Sequence, residues 1–91
     1  MNKRRDRLQV IHDILRTIKD KDGKIKPTHI LYKSNLSHQM MEEYLHELME
    51  KNFILEEKTK EGKTYSITQK GQEYLNQYKL IVNFVGGFGL D

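Results

Sequence analysis

The side chains of this sequence that could act on another molecule are donors suited to phosphates and base edges, not nucleophiles. Lys3-Arg4-Arg5-Asp6-Arg7 opens the chain as a basic cluster. Positive charge is unfavourable at a helix N-terminus. A cluster there is explained either by an anion that meets it, such as phosphate, or by a solvated end that aids solubility. Thr28, Tyr32, Lys33 and Ser34 form a second group, and Ser37, His38 and Gln39 a third. Lys58, Lys60 and Lys63 form a fourth around Gly62. Lysine and arginine carry charge to phosphates, and the amide of Gln39 matches the donor–acceptor edge of adenine. Each group also has a plainer reading. Ser37 can cap a helix, His38 can be solvated, Tyr32 can lie in a core, and lysines keep a loop soluble.

Other chemistry finds little support. His38, Glu42 and His46 recur at four-residue spacing on one helical face, but a structural zinc site wants four closed ligands. There is no nucleophile motif, and the Gly-Gly-x-Gly tail lacks the strand before it and the helix after it that a phosphate loop needs. No enzymatic activity, cofactor or functional metal is expected.

The stretch Pro27–Met49 must position the second and third groups. Pro27 fits the first turn of a helix, Ile30 and Leu31 give it an apolar side, and Ser34-Asn35 stops it. Ser37 then caps a second helix. Leu36 before the cap and Met41 at the fourth helical position suit a hydrophobic staple. Met41, Leu45, Leu48 and Met49 recur at helical spacing. A short helix, a small turn and a longer amphipathic helix make a helix-turn-helix, although an ordinary helical hairpin explains this stretch equally well. The helix is expected to end near Lys51, with Asn52 as C-cap.

The flanking segments tilt that balance. Leu8, Ile11, Ile14, Leu15 and Ile18 predict an amphipathic first helix ending near Lys19-Asp20-Lys21, and Asp22-Gly23 breaks it. Ile25 is expected to form a stub of β-structure. Phe53–Lys58 is predicted as a strand, Thr59–Lys63 as a hairpin loop, and Thr64–Ile67 as the return strand. A hairpin directly after a helix-turn-helix is a wing. Thr68 can cap a last helix carrying Tyr74, Leu75, Tyr78, Ile81, Val82 and Val85. From Leu80 to Val85 that helix is apolar on nearly all sides, more than one small domain can bury, so a coiled-coil-like contact with a second copy is expected. The alternative is packing on the chain's own first helix. Gly86-Gly87 is expected to end the helix.

The 91 residues make one small domain. The absence of cysteine excludes disulfides and thiolate metal sites and fits a reducing interior. No apolar run approaches the roughly 20 residues of a membrane span, and no signal peptide is visible. The net charge of +3 is unevenly spread. Residues 1–36 hold ten Lys or Arg against four Asp, whereas residues 37–57 hold one Lys against six Glu. The basic front suggests a polyanion partner; the acidic middle weighs against it.

Arg5-x-Arg7-Leu8, Lys26-Pro27-Thr28-x-Ile30-Leu31-Tyr32-Lys33-x-Asn35-Leu36-Ser37, Tyr44-Leu45-x-x-Leu48 and Tyr65-x-Ile67-Thr68-x-Lys70-Gly71-x-x-Tyr74-Leu75 together resemble the archaeal winged helix-turn-helix family of small DNA-binding proteins, described as chromatin-type or regulatory. The resemblance covers nearly the whole chain. It implies an α+β, mostly helical winged helix-turn-helix over residues 1–68, a long C-terminal dimerisation helix over 69–85 and a tail over 86–91. It implies double-stranded DNA as partner, a homodimer joined by an antiparallel coiled coil, and a cytoplasmic, nucleoid-associated place.

The expected DNA contacts are Lys3, Arg4, Arg5, Arg7, Thr28, Lys33, Ser34, Ser37, His38, Gln39, Lys58, Lys60 and Lys63. The expected dimer contacts are Tyr74, Tyr78, Ile81, Val82 and Val85. One departure stands out: the second helix carries Glu42, Glu43, Glu47 and Glu50 where similar proteins usually carry Lys or Arg. Glu42, Glu43 and Glu47 therefore suggest a rival use of the fold, as a protein–protein interaction module.

Overall fold

A computed structural model of the chain describes residues 6–21, 25–87 and 89. Lys3, Arg4 and Arg5 lie outside the described residues. The order of elements is α1 (Arg7–Asp20), α2 (Pro27–Ser34), α3 (His38–Glu50), β1 (Ile54–Thr59), β2 (Gly62–Ile67) and α4 (Gln69–Gly87). This is a winged helix-turn-helix, mostly helical, with the hairpin as wing.

Each helix begins and ends for a local reason. Asp6 starts α1 through a capping box: its Oδ1 accepts from the Gln9 N–H at 2.8 Å, and its own N–H donates to Gln9 Oε1 at 3.0 Å. The buried face of α1 is Val10, Ile11, Ile14, Leu15 and Ile18. Leu8, expected on that face, is exposed; it lies one turn too early, beyond the edge of the core. Pro27 opens α2, and Asn35 closes it in the left-handed region at φ 53°, with its N–H on the Leu31 carbonyl. Ser37 caps α3 by accepting from the Met40 N–H at 3.2 Å. The expected staple pair, Leu36 and Met41, belongs to one apolar cluster.

The end of α3 is a Schellman motif. Lys51 is the C-cap and Asn52 follows at φ 64°. The Phe53 N–H donates to the Leu48 carbonyl at 2.8 Å, and the Asn52 N–H to the Met49 carbonyl at 3.1 Å. Asparagine tolerates the left-handed conformation better than other residues with a Cβ.

The wing pairs antiparallel from Ile54↔Ile67 to Thr59↔Gly62. Its turn holds only Lys60 and Glu61, so the ladder continues into the segment expected as a five-residue loop. Gly62 at φ 122° permits this tight reversal. Thr59 supports it by accepting from the Glu61 N–H and donating to the Gly62 carbonyl. Ile25 forms the expected stub, bridging Tyr65 with a 3.0 Å bond from the Tyr65 N–H.

The core collects α1, Ile25, Ile30, Met41, Leu45, Leu48, Ile54, Tyr65 and Leu75. The first half of α4 thus belongs to it. Thr68, Lys70 and Gly71 lock this half in place. The Thr68 hydroxyl accepts from the Gly71 N–H at 3.1 Å and lies 2.7 Å from the Asn52 carbonyl and 3.0 Å from that of Phe53. Lys70 donates to the Lys51 carbonyl at 2.8 Å and sits over the Phe53 ring. Gly71 is buried where a Cβ would lie 2.5 Å from the Phe53 carbonyl oxygen. The Thr-x-Lys-Gly run is therefore one joint between the end of α3, both ends of the wing and the start of α4.

Beyond that joint, α4 leaves the core. It runs through Gly86 and Gly87, two residues further than expected. A glycine costs a helix only about 1 kcal/mol, which a terminal turn tolerates. Leu80, Ile81, Val82 and Phe84 are exposed, Phe84 at 67%.

Candidate nucleic-acid interface

The helix-turn-helix fixes what α3 shows to the outside. Met41, Leu45 and Leu48 face the core, which leaves His38, Gln39, Met40, Glu42, Glu43, His46 and Glu50 exposed. The polar ones pair one turn apart along the helix: His38–Glu42 at 3.7 Å, Gln39–Glu43 at 3.3 Å and His46–Glu50 at 3.8 Å. His38 and His46 thus each lean on a different glutamate. Among the described residues no group of three or more His, Cys, Asp or Glu is placed to hold a metal ion. The exposed face contains no lysine or arginine, so its outward groups are mainly hydrogen-bond acceptors.

Glu47 differs from the other glutamates. It is half-buried between Arg7 of α1 and Lys51, which donates to it at 2.9 Å. The Lys51 bond, then that of Arg7, hold its carboxyl below the usual range. In turn Glu47 raises Arg7, whose guanidinium also lies 5.8 Å from the centre of the Tyr44 ring. Arg7 thus meets a carboxylate of its own chain. This cluster ties the C-terminal half of α3 to α1.

The second group divides. Tyr32 is 86% exposed rather than in the core, and Thr28 and Lys33 are exposed with it. Ser34 is fully buried and offers nothing to a partner at the surface. The short helix turns Ile30 inward, and Ser34, four residues later, follows it. Ser37 remains exposed while it caps α3.

The wing gathers three lysines at its tip, with Glu61 among them. Lys58 and Lys63 stand directly opposite each other in the ladder, with Lys60 in the turn between them. Like charges in that register oppose hairpin formation. Glu56 offsets part of this, lying 3.9 Å from the Lys63 ammonium. It also accepts from the Tyr65 hydroxyl at 3.2 Å. Burial, then Glu56, push the Tyr65 phenol up to about 12. The wing is thus anchored through a buried tyrosine at its root and charged at its tip.

Tyr74 and Tyr78, expected at a dimer contact, lie against α1. The Tyr74 hydroxyl donates to the Leu8 carbonyl at 2.8 Å, and the Tyr78 ring stacks on His12 at 4.3 Å. Ile81 and Val82 are exposed, and Val85 is half-buried.

Three features escaped the sequence reading. Asp6-x-x-Gln9 ahead of an apolar run is a capping-box signal, masked by the surrounding arginines. The opposition of Lys58 and Lys63 follows once the turn is two residues long. The Arg7–Glu47 contact spans 40 residues and leaves no local signal.

The family profile described as winged helix-turn-helix matches residues 4–85. An uncharacterised protein of Methanocaldococcus jannaschii, MJ0290, is 28% identical over 82 residues; the match covers 90% of this chain and 36% of that protein. The chain thus spans little more than a third of that relative. The fold is similar to that of Sso10a-2, a DNA-binding protein from Sulfolobus solfataricus, with TM-score 0.80 and 20% identity over 92% of this chain and 85% of the other. It is also similar to Bordetella bronchiseptica BpsR, whose DNA binding is regulated by 6-hydroxynicotinic acid. That match has TM-score 0.74 and 8% identity over 86% of this chain and 57% of the other.

Proposed function

Because the chain belongs to the winged helix-turn-helix family, we propose that it binds double-stranded DNA as a homodimer and serves as a transcriptional regulator. The observation that carries this is the wing tip, where Lys58 faces Lys63 across the ladder beside Lys60. An arrangement that costs the free protein stability is repaid when phosphates lie against it. Thr28, Tyr32 and Lys33 on α2 supply further backbone contacts, and so do Lys3, Arg4 and Arg5. Most of these position the duplex rather than specify its sequence.

The α3 face favours regulation over an architectural role. Residues at the start of this helix reach base edges in the major groove. Gln39 can pair with adenine, and Glu42 or Glu43 can accept from cytosine N4. Carboxylates repel phosphates, so they lower affinity for arbitrary sequence, the opposite of what a coating protein needs. The exposed Leu80, Ile81, Val82 and Phe84 support pairing of two α4 helices. A two-fold dimer then places two half-sites about 10 base pairs, or a multiple, apart.

The same bare acidic face supports one rival, a protein partner docked on Glu42 and Glu43. Glu47 contributes little to that reading, being held by Arg7 and Lys51. The test is Lys58→Ala, Lys60→Ala and Lys63→Ala combined. Duplex affinity should fall, and the slope of log K against log salt should flatten by about 2 to 3. Unchanged affinity and slope would remove the wing from the interface and favour the protein partner.

A further inference from the structure

A second surface has no place in that reading. Between α1 and the middle of α4 runs an open cleft of about 400 Å³. Arg16 and Lys19 line it from α1 and Lys79 from α4, with His12 and Leu75 also on its walls. Asp20 is the acidic side chain on its lining, 3.6 Å from the Arg16 guanidinium. Three cations against one carboxylate leave an excess of positive charge. The His12 ring is half-buried and held by its stack on Tyr78 at 4.3 Å and 23°, with Asp13 at 3.3 Å from its Nδ1. Leu75 is nearly fully buried.

We infer that this cleft is a binding site for a small aromatic carboxylate. Two independent demands converge on that class. Cations from two helices, one a guanidinium, match a carboxylate, which arginine binds through a planar fork. The His12 ring, stacked on Tyr78, gives the lining a planar aromatic group against which a ring can stack, which an inorganic anion cannot use. Small-molecule sites commonly join such a surface to a few convergent polar groups. An occupant would bridge α1 to α4. Since α1 also holds α3 through Arg7 and Glu47, the cleft is mechanically connected to the helix that meets DNA.

Benzoate is the simplest probe, followed by two-dimensional NMR of the full chain. A ligand of about nine heavy atoms at ordinary efficiency gives a dissociation constant on the order of 1 mM. Saturable shifts should appear at His12, Leu75 and Lys79 and be absent from the wing. Benzyl alcohol, of like shape without the charge, should bind at least about 10-fold more weakly, because the charge-assisted bonds are lost. Arg16→Gln with Lys79→Gln should weaken benzoate by a similar factor and leave wing resonances in place. Three results would overturn the inference: no saturable shift at about 10 mM benzoate, ten times the expected constant; equal binding of benzyl alcohol; or equal binding of inorganic phosphate, which would make the cleft a mere patch of charge. None of these depends on DNA, so the DNA reading stands or falls separately.

Discussion

Gly71→Ala should cost this protein much of its stability, although alanine is the better helix former. The glycine sits in the first turn of α4, and an added Cβ would lie 2.5 Å from the Phe53 carbonyl oxygen and 2.6 Å from Ile67 Cγ1. Ile67 can rotate away, but the Phe53 carbonyl is backbone. It is held by the Thr68 N–H at 3.1 Å, and the Phe53 N–H is fixed in turn on Leu48. A comfortable carbon–oxygen contact is about 3.3 Å, so α4 must withdraw by roughly 0.8 Å. Overpacking of this kind costs about 1–3 kcal/mol. Withdrawal also loosens the Thr68 cap, worth about 1 kcal/mol. Removing the glycine returns less than about 1 kcal/mol of helix propensity. The net loss is about 1–3 kcal/mol, or roughly 5–20 °C in Tm for a domain of this size. Thermal and urea unfolding by circular dichroism, at one fixed protein concentration, measures it. Gly87→Ala is the control, since a Cβ there meets nothing within 4 Å; it should be neutral or slightly stabilising. A Gly71→Ala protein as stable as the parent would refute the close approach of α4 to the root of the wing.

The acid limb of stability should depend on Glu47. Lys51 and Arg7 depress its carboxyl in the folded state, so its contribution is complete above the unfolded value of about 4.3 and is lost as pH falls through the lower folded value. Urea midpoints of the parent and Glu47→Gln should therefore differ at pH 7 and converge in strong acid; a gap that widens on acidification would reverse the assignment. Sedimentation should find a dimer in which α4 is buried. Ile81→Asp removes about 1.5 kcal/mol or more per copy, twice per dimer, and should weaken association at least roughly 100-fold. A parent protein that is already monomeric would end the dimer proposal.

The parts of this fold legible in sequence are those set by local chemistry. Pro27, Asn35, Ser37 and Asn52 each act within a few residues, through a fixed φ, a left-handed turn or a side-chain cap. The alternation in Thr64–Ile67 reported the return strand because one side of the wing is buried. Long-range placement was not legible. Whether Tyr32 faced core or solvent depends on how α2 lies on α1, and eight residues of helix are too few for the pattern to decide. Arg7 and Glu47 meet across 40 residues of sequence, at the start of α1 and late in α3. The candidate site was legible as residue types and incompletely as geometry: Ser34 fell inside and Arg7 was engaged, while the wing lysines lie at the surface. The Thr-x-Lys-Gly run was recognisable as a pattern, but its reason, a backbone carbonyl where a Cβ would stand, required coordinates.

Fluorescence anisotropy of a mixed-sequence duplex, titrated with protein at several salt concentrations, tests the DNA reading most directly. Binding at micromolar or better affinity in low salt is expected, with log K falling against log salt at a slope of about −3 to −8 as several phosphates are neutralised. No binding at low salt, where attraction to phosphate is strongest, would contradict a DNA-binding role and turn attention to a protein partner for α3.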